Sequence, residues 1–219
     1  MKYRVKTIKT LFSEAATWDT APWNTISSLA LNHHMGPRPD HFPRTEAKLF
    51  FDGEAVCVMF RVEDRYVRSV AGQHQDNVFE DSCVEFFFTP GPDVSKGYFN
   101  LEMNCGGTML FHFQTGRGKD RVVIPEKECR KISRRSSLPS LVDPEIQEPL
   151  TWTVSYRLPV CLPEPYTRVI PPAPGVRWRA NFYKCGDKTS HPHWLTWSAV
   201  DLPKPDFHRP EFFGTLEFE

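Results

Sequence analysis

The sequence predicts an all-β protein, an antiparallel β-sandwich of jelly-roll type with few or no long helices. Short runs rich in β-branched and aromatic residues recur along the 219-residue chain. Turn pairs such as Asp52-Gly53 and Gly106-Gly107 join several of them. The 20 prolines fall mostly between the runs, where they interrupt any helical reading. Many short strands with turn-like joints make a sandwich or jelly roll.

Taken in order, YRVKTI at 3–8 alternates charge with apolar residues and reads as a first strand. A hairpin follows, 48–51 and 55–62 about the Asp52-Gly53 turn. Strands are then expected at 83–89, 98–104 and 108–114, the last two meeting at Gly106-Gly107, with a short one at 121–124. The polar, proline-containing segment 116–148 reads as a long loop excursion within one domain spanning 1–219. Beyond it, 150–158 and 176–184 are strands separated by the Pro-rich connection LPEPYTRVIPPAPG, and 194–198 and 213–218 complete the set.

The stretch DNVFEDSCVEFFFTP at 76–90 places a carboxylate, Glu85, inside a run that should be buried. Alternation along an extended strand puts Cys83, Glu85 and Phe87 on one face and Val84, Phe86 and Phe88 on the other. The same rule sets Asn100, Glu102 and Asn104 opposite Phe99, Leu101 and Met103. It also sets Arg177, Arg179, Asn181 and Tyr183 opposite Trp178, Ala180 and Phe182. Val84, Phe86, Leu101, Trp178 and Phe182 are therefore expected in the core. Each polar face either meets water or lines a binding surface, and its planar carboxylate, amide and guanidinium groups suit paired hydrogen bonds to vicinal hydroxyls. Sugars present such hydroxyls together with C–H faces that stack on aromatic rings. Phe79, Trp194 and its rival Trp197 supply rings, so the candidate carbohydrate site is Phe79, Glu85, Asn100, Glu102, Arg179, Asn181, Trp194 and Trp197.

These motifs resemble the family 9 carbohydrate-binding modules and their DOMON-like β-sandwich relatives. The likeness runs from Trp18 through FDGEAVCVMFRVED, FEDSCVEFFFTP, YFNLEMNCGGTML and VRWRANFYKCGD to PDFHRPEFFGTLEFE. It implies a jelly roll that binds a glycan end, without catalysis, in polysaccharide utilisation. Phe79 would then stand where the family has one sandwiching tryptophan, Glu85 where it has a sugar-binding carboxylate, and Trp194 would be the second ring. A phenylalanine offers a smaller π-face than tryptophan. Structural calcium is also implied by the resemblance; the sequence matches no ligand set for it, and Asp64, Asp76 and Asp81 are dispersed candidate oxygen donors.

Other classes are constrained by composition. Lys plus Arg and Asp plus Glu each number 27, so no net field draws the chain to nucleic acid or anionic lipid. The basic cluster Arg130, Lys131, Arg134 and Arg135 lacks interleaved aromatics and reads as a solvated loop. No apolar run approaches the roughly 20 residues of a membrane span, and the amino-terminal MKYRVKTIKTLFSEAA has no apolar signal core. Six scattered cysteines without a CxxC pair favour free thiols and a cytoplasmic setting. Three rivals stay open: a cupin-like metal enzyme using His191, His193 and His208; a glycoside-processing enzyme using Glu85 and Glu102; and a sandwich that binds a partner rather than sugar.

Overall fold

The computed structural model describes residues 1–10 and 12–219. Its strands are β1 (Lys2–Thr7), β2 (Leu29–Ala30), β3 (His33–His34), β4 (Arg44–Phe51), β5 (Ala55–Asp64), β6 (Val67–Ser69), β7 (Cys83–Thr89) and β8 (Tyr98–Asn104). They continue with β9 (Met109–Gln114), β10 (Val122–Val123), β11 (Ser133–Ser136), β12 (Val142–Ile146), β13 (Leu150–Pro159), β14 (Arg177–Cys185), β15 (Trp194–Thr196) and β16 (Gly214–Phe218). The α-helix α1 (Glu126–Cys129) is a single turn, as the scattered prolines predict.

Fourteen strands share one hydrogen-bonded sheet, whose main path runs β10-β9-β8-β7-β14-β16-β1-β4-β5-β13-β11. The sheet curls on itself at β1. That strand pairs with β16 through Lys2, Tyr3, Arg4 and Val5, then passes to β4 through Lys6 and Thr7. Both pairings are parallel, whereas the remaining ladders are antiparallel. Hydrophobic patterning specifies which face of a strand is buried but not which distant strand lies beside it, so this parallel closure is invisible to a face-alternation argument.

The two halves of the curled sheet pack their apolar faces together. Phe60 on β5 meets Phe182 on β14 with ring centroids 6.0 Å apart, and Phe86 stacks on Phe182 at 4.9 Å. Val84, Phe86, Leu101, Trp178 and Phe182 all lie in this main core. The opposite faces of β7, β8 and β14 also avoid water. Cys83, Phe87, Tyr98 and Tyr183 belong to a second buried cluster with Phe207 and Phe213. The segment between β15 and β16 covers part of that face: Tyr183 Oη donates to Phe207 O at 3.1 Å, and Asn181 Nδ2 donates to Ser198 O at 2.9 Å.

Within 116–148 the backbone is more regular than a plain loop. β10 pairs with β9, β11 pairs with β13, and β12 pairs with β6. The basic residues Arg134 and Arg135 thus stand on an edge strand, where charge discourages further pairing. No helix among the described residues is long and apolar enough to cross a membrane.

Candidate functional site

The uncovered part of the second face is the wall of a cavity of about 630 Å³. Its floor comes from adjacent strands, because β7, β8 and β9 lie side by side with Glu85 opposite Glu102 and Glu102 opposite Leu110. Directly opposed cross-strand residues hold their Cβ atoms about 5 Å apart, so the two carboxyl groups share one small volume. Glu85 is 2% exposed and Glu102 is 4% exposed.

A chain of hydrogen bonds orients the floor. Gly118 N donates to Gln114 Oε1 at 2.8 Å, Gln114 Nε2 to Asn100 Oδ1 at 3.0 Å, and Asn100 Nδ2 to Glu102 Oε1 at 2.9 Å. The other oxygen of Glu102, Oε2, is buried without a partner among the described residues. Glu85 Oε1 accepts from the Cys185 thiol at 3.2 Å. Burial raises the Glu102 pKa to about 7. Burial and then the neighbouring Glu102 push Glu85 well above the usual carboxylate range.

Aromatic groups stand around the acids. Phe79 sits on a 3₁₀ turn, Val78–Glu80, just before β7. Asp187 N donates to Phe79 O at 3.1 Å and Lys188 N to Glu80 O at 2.9 Å, fastening that turn to the segment after β14. Trp194 Nε1 in turn donates to Asp187 Oδ1 at 2.8 Å. Both rings are partly buried and line the cavity with Phe207 and His208. His208 Nδ1 lies 3.0 Å from Tyr98 Oη and 2.9 Å from Gln114 Nε2. Burial holds the His208 and His112 pKa values down at about 4, leaving both rings neutral near pH 7. Arg117 and Arg121 stand at the mouth.

Against this geometry, the sequence model of carbohydrate-binding family 9 matches residues 16–218. The chain belongs to carbohydrate-binding family 9. Its fold is similar to that of a candidate carbohydrate-binding protein from Bacteroides uniformis, at 29% identity and TM-score 0.85, over 100% of this chain and 99% of that one. It is also similar to a family 9 carbohydrate-binding module from Caldicellulosiruptor kristjanssonii solved with glucose, at 12% identity and TM-score 0.67, over 100% of this chain and 96% of that one. The same module solved with cellotriose matches at 12% identity and TM-score 0.67, over 100% of this chain and 94% of that one. A search of curated proteins finds no match.

In this family 9 chain the cavity gathers Phe79, Glu85, Asn100, Glu102 and Trp194 from the residues expected by sequence. It does not gather Arg179, Asn181 or Trp197. Arg179 Nε donates to Gly214 O at 3.1 Å and its Nη2 to Phe213 O, anchoring the start of β16. Asn181 is fully buried and clamps the backbone of Ser198 through both amide atoms. Trp197 faces the main core, edge-on to Phe182 at 5.6 Å. Alternation put Arg179 and Asn181 on the correct face, but the segment returning to β16 roofs that end of it. Gln114, His112, Asp187, Cys185, Phe207 and His208 line the cavity and were missed. Extending alternation to β9 sets Leu110, His112 and Gln114 in line with Glu102, so that signal was present in the sequence.

The expected calcium donors do not fit a calcium site. Asp76 Oδ2 accepts from Gly72 N and Gln73 N. Asp81 accepts from Arg68, Val70 N, Ala71 N and Asn104. Asp64 is buried between His41 at 2.7 Å, Trp152 Nε1 at 3.0 Å and the ammonium of Lys184 at 3.5 Å. A lysine therefore supplies the cation beside Asp64. Among the described residues the donor group suited to a metal is Cys83, Glu85 and Cys185, with ligand atoms within 4.8 Å of one another, a soft set unlike the oxygen shell calcium requires.

The histidine triad expected of a cupin is also dispersed. His191 stacks on Tyr66 at 3.7 Å, His193 Nε2 accepts from Lys184 Nζ at 2.7 Å, and His208 lies in the cavity. Of the six thiols, Cys161 is exposed and the other five are buried and unpaired.

Proposed function

We propose that this family 9 protein binds a carbohydrate, without transforming it, in the cavity between Phe79 and Trp194, with Glu85, Asn100 and Glu102 contacting its hydroxyls. The observation that carries the reading is the buried, cross-registered Glu85 and Glu102 pair facing an aromatic-sided cavity, with one carboxyl oxygen that has no partner among the described residues. Sugar hydroxyls satisfy such oxygens, and the rings take the C–H faces. The ligands bound by the Caldicellulosiruptor module in its two structures, glucose and cellotriose, are of this chemical class.

The test is a glycan array followed by calorimetry on the best hit. Glu85→Ala and Trp194→Ala are each expected to weaken binding about tenfold or more, because each strands or removes a buried contact worth about 1–3 kcal/mol. Unchanged affinity in both variants would move the site elsewhere. Turnover of a bound oligosaccharide, lost in Glu85→Gln, would make the protein an enzyme.

A further inference from the structure

Among the described residues, the buried carboxylates outside the cavity, Asp64 and Asp81, each have a cation, as do the part-buried Asp52 and Glu46. Asp64 faces Lys184 at 3.5 Å and His41 at 2.7 Å. Asp81 pairs with Arg68 at 3.2 Å, Asp52 with Arg157 at 2.6 Å, and Glu46 with Arg61 at 2.7 Å. Such pairing is what burial demands, since an isolated ionised group in low dielectric is strongly disfavoured. The cavity breaks the pattern. Glu85, Glu102 and Asp187 take part in no ion pair among the described residues, although the first two are almost wholly buried. Their protein partners are neutral: the Cys185 thiol, the Asn100 amide and the Trp194 indole.

We infer that the missing cation arrives with the ligand, and that the cavity selects a sugar carrying a protonated amine, an aminopyranose. The inference rests on the carbohydrate-binding reading above and narrows it to a substrate class. An ammonium has three donors and no acceptor, which suits a floor composed of acceptors. The unpartnered Glu102 Oε2 accepts one of them. A neutral diol meets the acids only in their protonated form, whereas an ammonium supplies both the hydrogen bonds and the countercharge that their ionised form requires. Trp194 and Phe79 beside the acids then serve a second purpose, since an ammonium is also attracted to an aromatic face.

The elevated carboxyl pKa values are consistent with this arrangement. Without a cation, burial holds protons on Glu85 and Glu102. An arriving ammonium favours their ionised forms, so binding releases a proton to solvent. Arg117 and Arg121 at the mouth offer the opposite preference for an acidic sugar, but Arg117 is already paired with Asp206 at 3.3 Å and largely exposed.

The test is calorimetry with glucosamine, glucose, N-acetylglucosamine and glucuronate at about pH 6.5, where an amine of ordinary pKa is protonated. Glucosamine is expected to bind about tenfold more tightly than glucose or N-acetylglucosamine, the margin of a charge-assisted over a neutral hydrogen bond. Its apparent enthalpy should change with the ionisation enthalpy of the buffer, reporting the released proton. In Glu102→Gln, which keeps an acceptor for Asn100, the ratio of glucosamine to glucose affinity should fall towards one. If glucose binds and glucosamine binds no better, the amine inference fails while carbohydrate binding stands. If glucuronate binds best, the mouth arginines govern selection and the inference is overturned. If none of the four sugars and no arrayed glycan binds, the carbohydrate reading falls, and this inference with it.

Discussion

Replacing Glu102 by glutamine should make the protein more stable above neutral pH while damaging its cavity. Glu102 has a folded pKa of about 7 against an ordinary 4.5, because burial penalises its charge. Between those two values the unfolded chain has released a proton that the folded chain keeps, so stability falls as pH rises through that window. Above about pH 7 the carboxyl is ionised in both states, and the accumulated penalty is about 3 kcal/mol. Glutamine never ionises, and it also removes the charge that helps raise Glu85. The penalty therefore disappears in the variant. Below about pH 4 the parent is protonated in both states, and the two proteins should agree within about 1 kcal/mol, the cost of one amide N–H facing the cavity. The assay is urea unfolding followed by tryptophan fluorescence across this pH range. A gain of about 3 kcal/mol corresponds to roughly 6–12 °C in Tm for a chain of this size. A stability difference that stays flat from pH 5 to 8, or a variant less stable than the parent at pH 8, refutes the reasoning that a buried, cation-free carboxylate is held here against its own hydration.

Two further outcomes follow from the packing. Lys184→Met removes the ammonium between Asp64 and His193 and leaves a buried charge without its lysine, so unfolding should become easier by about 3–5 kcal/mol, with Lys184→Met/Asp64→Asn recovering part of the loss in a double-mutant cycle. Trp197→Ala opens the main core and should cost about 3–5 kcal/mol of stability, whereas Trp194→Ala, at the cavity, should lower sugar affinity with a smaller stability change. Comparable stability losses for the two tryptophans would contradict their placement.

Much of the sandwich could be read from face alternation alone. Val84, Phe86, Leu101, Trp178 and Phe182 are buried together because period-two patterning is local and each strand carries it independently. The same reasoning singles out Glu85 and Glu102, carboxylates within apolar runs, and both line the cavity. What stayed hidden depends on contacts between distant segments. Arg179 and Asn181 look like ligand-binding groups until the segment ending at Phe213 is seen lying over them. β11 is a run of polar and basic residues, SRRS, and pairs with β13 through backbone atoms that carry no side-chain signature. Asp187 and His208 reach the cavity from connections, where no periodicity exists to align them with the floor.

β1 also has a mechanical role. It pairs in parallel first with β16 and then with β4, so a force entering before Lys2 and leaving after Phe218 runs along the strand axis. The hydrogen bonds between β1 and β16 are then loaded in shear and must fail together, whereas a hairpin pulled from its open end peels one bond at a time. Any tension applied through the residues flanking the fold therefore falls on these two strands. Stretched between handles attached beside β1 and β16, the molecule should yield in one abrupt rupture at high force. Gradual lengthening at low force would show that the two strands peel apart instead.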